Sequence, residues 1–175
     1  MEKSSALERM QSETAYFKNV CKYTVKNIFK FQIVFLLKKP AVYLLPFATI
    51  ITFVIQNYTI ALLMAIFTLV YYTVLPLTYY QGAKRTVKLM AERNGGEVPE
   101  NTVTFTESAL YNTTSGKTVG VEYGAVKRVM TFKDSYYVVT KTNQAFLVSK
   151  NGFVLGNPAA FPAFIKEKTG KKVKA

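Results

Sequence analysis

The sequence predicts an α+β membrane protein: a two-helix transmembrane hairpin followed by a small antiparallel β-sheet or open barrel that a C-terminal helix caps. The stretch Pro40–Ala83 contains no Asp, Glu, Lys or Arg, although those residues make up 19% of the chain. From Glu100 onwards the chain instead shows short β-branched and aromatic runs separated by turn residues. These two patterns indicate separate membrane and aqueous parts.

The chain of 175 residues divides into four parts on this basis. We predict an N-terminal arm with an interfacial helix over residues 1–39 and a transmembrane hairpin over residues 40–83. A helix extension and linker follow over residues 84–99, and the β domain occupies residues 100–175. The segment Asn94–Pro99, in which paired glycines precede a proline, marks the boundary between linker and domain.

The arm is polar at its start and apolar at its end. Met1–Asn19 has mixed charge and too few apolar residues for a strong apolar face, so we expect a loose helix or a frayed tail. Asn27 is an N-cap candidate for a helix over Ile28–Leu37. That helix is too short to span a bilayer and is predicted to lie in its interface. Pro40 is then suited to begin the first membrane helix.

The charge-free stretch is long enough for two membrane crossings, since a spanning helix needs about 20 apolar residues. We predict one helix centred on Ala41–Ile55 and a second over Thr59–Tyr79, with a tight turn between them. One continuous helix would be about 60 Å long, twice the thickness of the hydrocarbon core. Because the first helix is short and contains Pro46, a tilted or re-entrant hairpin remains as an alternative.

Basic residues flank the hairpin on both sides, whereas the turn inside it has none. Positively charged loops stay in the cytoplasm, so both chain ends are predicted to be cytoplasmic in a multi-pass protein of the cell membrane. A net charge of +13 would indicate nucleic acid in a soluble protein. Attraction to anionic lipid headgroups explains it here, and we expect no nucleic-acid partner. The residues predicted to contact the membrane surface weakly are Lys38, Lys39, Lys84, Arg85, Lys171, Lys172 and Lys174.

The β domain is predicted from alternation and turn residues. Thr102–Thr106 alternates perfectly between Thr and apolar residues, which is typical of a half-buried strand. Further strands are predicted over Ala109–Thr113, Thr118–Glu122, Ala125–Phe132, Tyr136–Thr140, Ala145–Ser149 and Phe153–Leu155.

The final helix is predicted from its ends and its spacing. Asn157 and Pro158 are typical of an N-cap and a first helical residue, and Gly170 is expected to end the helix. Phe161, Phe164 and Ile165 fall on one face as an apolar stripe, and Lys168 follows on the same face. A domain of this size has a marginal core of its own, so the two phenylalanines should matter greatly to its stability.

Two membrane helices, a Gly/Pro break and a strand opening at Val103–Leu110 follow one another in this chain. With this order of features the chain resembles a family, the bacterial YcxB-like proteins. The residues that carry the rest of the resemblance are Tyr123–Val129, Asp134–Val139, Phe146–Lys150 and the Phe-rich final helix. The resemblance covers roughly residues 40–170. It implies a pleckstrin-homology-like fold and a membrane location, and it implies no catalytic residues.

No catalytic, cofactor-binding or metal-binding residues are predicted. The chain has no histidine, which removes His-based triads and His-ligated zinc. Ser115–Thr118 looks like the end of a phosphate-binding loop, but Tyr111 stands where that motif needs glycine. Cys21 is the single cysteine, so no disulfide within the chain can form. Two readings of Cys21 stay open, a reduced small hydrophobe and an S-acylated residue near the membrane.

We therefore expect a non-enzymatic integral membrane protein that displays a small cytoplasmic interaction module with a regulatory or scaffolding role. The alternative is an accessory subunit of a membrane transporter or secretion complex. The expected partners are the lipid bilayer, its anionic headgroups, and another membrane protein or a second copy of this chain.

Overall fold

The computed structural model describes residues 2–37 and 39–174. The chain forms two compact units. The β unit comprises Met1–Tyr23 and Val98–Ala175, and the helical unit comprises Thr24–Glu97. The helical unit is therefore an insertion within the β unit.

Five α-helices are present among the described residues: α1 Glu2–Ser12, α2 Val25–Leu37, α3 Leu44–Val54, α4 Tyr58–Arg93 and α5 Phe161–Thr169. The described strands are β1 Phe17–Lys22, β2 Glu100–Phe105, β3 Ala109–Thr114, β4 Lys117–Glu122, β5 Val126–Thr131, β6 Ser135–Thr140, β7 Ala145–Ser149, β8 Phe153–Leu155 and β9 Val173–Lys174. Short 3-10 turns cover Pro40–Tyr43 and Tyr123–Ala125.

In the helical unit, α3 and α4 pack against each other across a tight turn. Gln56 takes a left-handed conformation at this turn, with φ of 60°. Asn57 caps α4, since its side chain accepts a hydrogen bond from the Ile60 amide at 3.4 Å. The Thr49 and Thr68 hydroxyls lie 3.2 Å apart between the two helices. This turn lies where the sequence predicts one.

The helical unit contains one helix with the length and composition to cross a membrane. Among the described residues, α4 alone passes this test, and only 6% of its most apolar window is buried within the protein. A second crossing is counted only when α2 and Pro40–Val54 are taken together as one broken span. The prediction of a long apolar helix is thus confirmed, whereas the second crossing stays a prediction.

The first helix of the helical unit, α2, begins earlier than predicted. The Asn27 amide donates to the Thr24 hydroxyl at 3.1 Å, so Thr24 caps the helix and not Asn27. The helix therefore gains Val25, Lys26 and Asn27 at its N-terminus. It packs on α4, where the rings of Phe29 and Tyr80 lie 5.7 Å apart.

The β unit is built from two sheets. The five-stranded sheet has the order β4-β3-β2-β1-β8 and the four-stranded sheet the order β7-β6-β5-β9. All pairings are antiparallel except that of β5 with β9. The described strands do not close into a barrel. The predicted antiparallel sheet with a C-terminal helix is confirmed, in the form of two sheets.

The strand β1 differs from the predicted arm. Its six residues pair with β2 in full register, from Phe17 opposite Phe105 to Lys22 opposite Glu100. On its other side β1 pairs with β8, so β1 is an interior strand of the five-stranded sheet. The described residues up to Tyr23 thus belong to the β unit, which differs from an arm over residues 1–39 and a domain over residues 100–175.

The core lies between the two sheets and under α5. Val103, Phe105 and Leu110 of the five-stranded sheet are fully buried, and Phe161 and Ile165 of α5 pack with them. The predicted apolar stripe of α5 is confirmed. The helix begins at Phe161, later than predicted, because Asn157 caps a preceding turn and accepts a hydrogen bond from the Ala159 amide at 3.0 Å. Gly170 ends it with φ of 65°.

Candidate functional site

A polar cavity of the β unit forms a groove at one end of the five-stranded sheet. It has a volume of about 630 Å³ and opens to solvent. Residues from α1, the α1–β1 connection, the β2–β3 turn, β3, β4 and α5 form its walls. The lining residues are Arg9, Glu13, Glu107, Ser108, Ala109, Tyr111, Glu122, Tyr123, Gly124 and Lys168. We refer to this cavity as the polar groove.

Glu13 joins the α1–β1 connection to the β2–β3 turn. Its carboxylate accepts a hydrogen bond from the Ser108 hydroxyl at 2.7 Å and one from the Tyr111 hydroxyl at 3.4 Å. Hydrogen bonding from Thr106 and Ser108 holds the pKa of Glu13 below its ordinary value. The carboxylate is thus kept ionised at the rim of the groove.

Glu107 and Lys168 form an ion pair on the other side of the groove. The Lys168 ammonium also lies 5.8 Å from the centre of the Tyr16 ring. Hydrogen bonding from Lys168 and Tyr16 lowers the pKa of Glu107, and the same carboxylate raises the pKa of Lys168. The pair fixes the C-terminal part of α5 against the β2–β3 turn.

Tyr123 forms the floor of the polar groove. It is buried, and its hydroxyl donates to the Thr106 carbonyl oxygen at 2.7 Å. Burial raises the pKa of Tyr123 well above its ordinary value, so the hydroxyl remains a donor at neutral pH. Arg9 and Glu122 are exposed at the groove rim. The groove therefore offers both cationic and anionic groups to a ligand or partner.

The part of the chain that the structure describes contains no cluster of side chains that could bind a metal ion. No three residues among its His, Cys, Asp and Glu side chains lie close enough together to hold a metal ion. The carboxylates of the groove instead find partners among hydroxyl and ammonium groups. The arrangement is suited to recognising a polar surface.

The polar groove and the two chain connections to the inserted segment lie at opposite ends of β1 and β2. The insertion leaves β1 after Lys22 and returns to β2 at Glu100, and these two residues lie opposite each other. Phe17 and Phe105 pair at the other end, next to the groove. We name the Lys22–Glu100 end the tether end. Five residue steps along β2 separate the two ends by about 17 Å.

The residues predicted to contact the membrane surface do not line the groove. Lys39, Lys84 and Arg85 are exposed residues of the helical unit. Lys171 and Lys172 are exposed between α5 and β9 in the β unit. Lys174 pairs through its backbone with Met130. Lys38 lies outside the described residues.

Sequence reasoning missed the groove because its residues are spread from Arg9 to Lys168. The run Phe17–Lys22 offers only a weak strand signal, because Lys18 and Asn19 are both polar although Asn19 is buried in the sheet. Recognising it as a strand would have brought Glu13 to the domain. The partner residues Ser108 and Tyr111 follow no local pattern that points to Glu13.

Ser115–Thr118 forms a turn between two strands. Ser115 and Gly116 both take left-handed conformations, with φ of 49° and 72°. The hydroxyls of Thr113 and Thr118 lie 2.9 Å apart across the hairpin. A phosphate-binding loop instead joins a strand to a helix, so this segment differs from one in backbone as well as in sequence.

Comparison with known protein families gives a match within the β unit. The family model described as "YcxB-like protein" matches residues 105–166. No curated protein and no solved structure matches the chain. The matched range runs from the last residue of β2 into α5, so it includes neither β1 nor the helical unit. The resemblance predicted from the sequence is confirmed over this range, in which the chain is similar to the YcxB-like family.

Proposed function

We propose that this chain is an integral membrane protein whose helical unit anchors the β unit at the cytoplasmic face of the cell membrane. The β unit is a non-enzymatic interaction module with a regulatory or scaffolding role, and its fold is pleckstrin-homology-like. Two antiparallel sheets with a C-terminal helix packed into their core support that fold. The observation that carries the proposal is the place where the chain leaves and re-enters the β unit.

The connections to the helical unit begin and end side by side. Lys22 and Glu100 lie opposite each other in neighbouring antiparallel strands, with Nζ and Oε1 4.0 Å apart. A folded aqueous domain stays on one side of a bilayer. The inserted segment must therefore return to the side from which it started. If α4 crosses the membrane, a second segment has to cross as well, and Pro40–Val54 is the segment that precedes it.

The depth of this second segment follows from a contact with α4. The Tyr72 hydroxyl donates to the Val42 carbonyl oxygen at 2.6 Å, so the two residues lie at one level. The helix rises about 21 Å from Tyr58 to Tyr72. The hydrocarbon core is about 30 Å thick, so the first leg is short, and Lys39 reaches the headgroups by snorkelling or local thinning of the bilayer. A tilted hairpin accommodates both legs.

The charge distribution supports cytoplasmic chain ends. Lys39, Lys84 and Arg85 are exposed on one side of the apolar segments, and the turn at Gln56–Tyr58 carries no charge. Positive flanks are retained in the cytoplasm. The same rule places the turn on the outer side of the membrane.

Cysteine labelling tests the topology. In a Cys21→Ala background, single cysteines are introduced by Asn57→Cys in the turn or by Ser115→Cys in the β unit. A membrane-impermeant maleimide applied to intact cells should modify the first and spare the second until the cells are lysed. Modification of the Ser115→Cys variant in intact cells would overturn the cytoplasmic placement. Protection of both positions would contradict the hairpin and favour a re-entrant segment.

A second candidate function is that of an accessory subunit of a membrane transporter or secretion complex. A cleft of about 570 Å³ between α3 and α4 favours it. Ala61, Ala65 and Thr49 line this cleft, and small residues allow close approach of another helix in a membrane. Copurification in mild detergent separates the candidates. Stoichiometric recovery with a multispan membrane protein would favour the subunit, whereas recovery without one favours the tethered module.

A further inference from the structure

We propose that the tether end of the β unit is a binding surface for anionic lipid headgroups, formed by Lys22, Lys117 and Lys141. The polar groove then faces the aqueous phase. This inference rests on the proposed membrane anchoring and goes beyond it, because anchoring alone does not say which face of the β unit meets the lipid. It also assigns the membrane contact of the β unit to these three lysines instead of the C-terminal residues Lys171, Lys172 and Lys174.

Strand register places Lys117 beside Lys22. Cys21 lies opposite Asn101, Asn101 opposite Thr114, and Thr114 opposite Lys117. These four residues form one row across β1, β2, β3 and β4. Lys22 follows Cys21 at the very end of the same sheet, and both lysines are exposed. The Asn101 side chain, which is fully buried, holds the row together by accepting a 2.7 Å hydrogen bond from the Thr114 hydroxyl.

Contacts between β1 and β7 place Lys141 at the same end. Asn19 bonds to Ser149 through its side chain, and the Cys21 thiol donates to the Leu147 carbonyl oxygen at 3.5 Å. β1 and β7 therefore run in opposite directions where they meet, so the end of β1 lies near the start of β7 at Ala145. The β6–β7 loop precedes Ala145, and Lys141 is an exposed residue of that loop.

The connection between β1 and α2 is too short to let this end turn away from the lipid. Only Tyr23 and Thr24 separate the two elements. Two extended residues reach about 7 Å at most. The tether end therefore stays close to the first turn of α2, the helix predicted to lie in the membrane interface, whereas the polar groove lies about 17 Å further away along the strands.

Electrostatics favours contact at this end. Glu100 is the carboxylate paired with Lys22. Together with the three lysines of this surface it leaves a net positive charge. Attraction to an anionic surface falls off within about 8 Å at physiological salt, so lysines at the groove end contribute little. Each lysine close to the headgroups should raise the ratio of membrane-apposed to free β units about fivefold.

The experiment uses the full chain, because the β unit is completed by β1 and cannot be cut out as one continuous segment. In a Cys21→Ala background, a fluorophore is attached at Ser115→Cys near the tether end or at Ala163→Cys on α5. Each protein is reconstituted in vesicles of phosphatidylcholine, with or without phosphatidylglycerol, that carry a quencher on their headgroups. Quenching should be stronger at Ser115→Cys than at Ala163→Cys.

Variants that remove charge distinguish the effect of the lysines on quenching from the effect of the covalent connection to the membrane helices. The Lys22→Gln, Lys117→Gln and Lys141→Gln triple variant should lose quenching at Ser115→Cys in vesicles with phosphatidylglycerol, by about fivefold in the ratio per substitution. A control variant with Lys18→Gln, Lys133→Gln and Lys166→Gln removes the same charge from exposed positions away from the tether end and should leave quenching unchanged. High salt should lower quenching at Ser115→Cys in the parent protein, as the first triple variant does.

The outcomes are distinct. Equal quenching at the two labels, or stronger quenching at Ala163→Cys, would overturn the orientation. Equal loss in the two triple variants, or no dependence on phosphatidylglycerol and salt, would overturn headgroup binding by these lysines. Circular dichroism of each variant verifies that the β unit is folded. Resistance of the protein to alkaline extraction from membranes is measured separately, so that a failure of anchoring is told apart from a failure of this inference.

Discussion

The side chain of Asn19 and the backbone of Ser149 exchange two hydrogen bonds that join the two sheets of the β unit. Asn19 Nδ2 donates to the Ser149 carbonyl oxygen at 2.7 Å, and the Ser149 amide donates to Asn19 Oδ1 at 2.9 Å. Asn19 lies in β1 and is fully buried, and Ser149 ends β7. Where the two sheets separate, the carboxamide of Asn19 replaces the backbone of a neighbouring strand. It thereby provides hydrogen-bond partners for the backbone amide and carbonyl at the end of β7.

Replacing Asn19 should destabilise the β unit strongly. Asn19→Ala leaves the backbone amide and carbonyl of Ser149, which are partly buried, without these partners, at a cost of up to about 1–3 kcal/mol for each group. Chemical denaturation in detergent, followed by near-ultraviolet circular dichroism of the tyrosines, measures the loss. Asn112→Ala is a matched control from β3, because the buried Asn112 Oδ1 has no partner among the described residues. Equal losses in the two variants would contradict the bridging role.

Gly152 is required by the close approach of β1. Its carbonyl oxygen accepts a hydrogen bond from the Val20 amide at 2.7 Å, and a Cβ atom at this position would overlap with the Val20 carbonyl oxygen. Gly152→Ala should therefore push β1 away from the β7–β8 turn and lower the free energy of unfolding by about 1–3 kcal/mol, as overpacking does.

The control for this substitution is Gly124→Ala. A Cβ atom at Gly124 would have no neighbouring atom within 4 Å. Replacing glycine where the backbone allows it changes stability by less than about 1 kcal/mol and often raises it, because the unfolded chain loses freedom. If thermal denaturation showed the same midpoint for both variants, the contact between Gly152 and Val20 would not limit the packing of β1.

The strands from Thr102 onwards could be predicted because each is a local signal. Their β-branched and aromatic runs are bounded by turn residues, and each pairs with a strand close in sequence, as in the β3–β4 and β6–β7 hairpins. The strand Phe17–Lys22 lacks such a run, since Lys18 and Asn19 are both polar, and it pairs with β2, about 80 positions along the chain. Local patterns carry no information about such a distant partner, so this strand was assigned to a loose arm.

The polar groove escaped prediction for the same reason. Glu13 and Lys168 come from opposite ends of the chain, and they meet the β2–β3 turn only after β1 and α5 have packed on the core. The carboxylates are scattered along the sequence, and scattered carboxylates are ordinarily solvated groups on the protein surface. They therefore did not indicate a site. The apolar stripe of α5 was predictable because helical spacing alone defines it.

The β unit should lose stability in mild acid. The pKa values of Glu13 and Glu107 are both held below the ordinary value, Glu13 by hydrogen bonding from Thr106 and Ser108, and Glu107 by Lys168 and Tyr16. A carboxyl group whose pKa is lower in the folded state stabilises that state above its unfolded pKa of about 4.3. This contribution is lost as the pH falls through the lower folded pKa. Thermal midpoints measured between about pH 6 and pH 3 should therefore decline.

Glu13→Gln isolates the contribution of one carboxylate. The variant should melt at a lower temperature than the parent above about pH 5, and the difference should shrink as the pH falls, because protonation of Glu13 removes the same charge from the parent. Glu122→Gln is the control, since Glu122 lines the same groove and its carboxylate has no hydrogen bond or ion pair with the described residues. A constant difference between Glu13→Gln and the parent at every pH would show that shape and not charge is responsible.

Cys21 should react slowly with thiol reagents in the folded protein. Its side chain is partly buried, donates to the Leu147 carbonyl oxygen at 3.5 Å, and has its pKa raised by burial. Since the thiolate is the reactive species, modification at neutral pH should be slower than in the denatured chain and should accelerate as the pH rises. Rapid modification at neutral pH, or S-acylation of Cys21 in native membranes, would show that this end of β1 opens readily.

Phe161 should be the largest single contributor to the core of the β unit. Its ring is fully buried and lies 5.0 Å from the Phe105 ring and 5.3 Å from the Tyr136 ring, so it contacts both sheets at once. Phe161→Ala removes these contacts and leaves a cavity that α5 cannot close without losing the Glu107–Lys168 pair. The expected cost is about 3–5 kcal/mol, a large fraction of the stability of a small domain.

The matched test for Phe161 compares it with an exposed apolar residue of the same unit. The side chain of Val154 in β8 is 64% exposed, so Val154→Ala should change the free energy of unfolding by less than about 0.5 kcal/mol. Denaturation of both variants in detergent micelles, followed through the tyrosine signals of the β unit, gives the comparison. The helical unit should keep its far-ultraviolet helical signal in Phe161→Ala, because Phe161 packs entirely within the core of the β unit. Loss of that helical signal together with the tyrosine signals would show instead that the two units unfold as one.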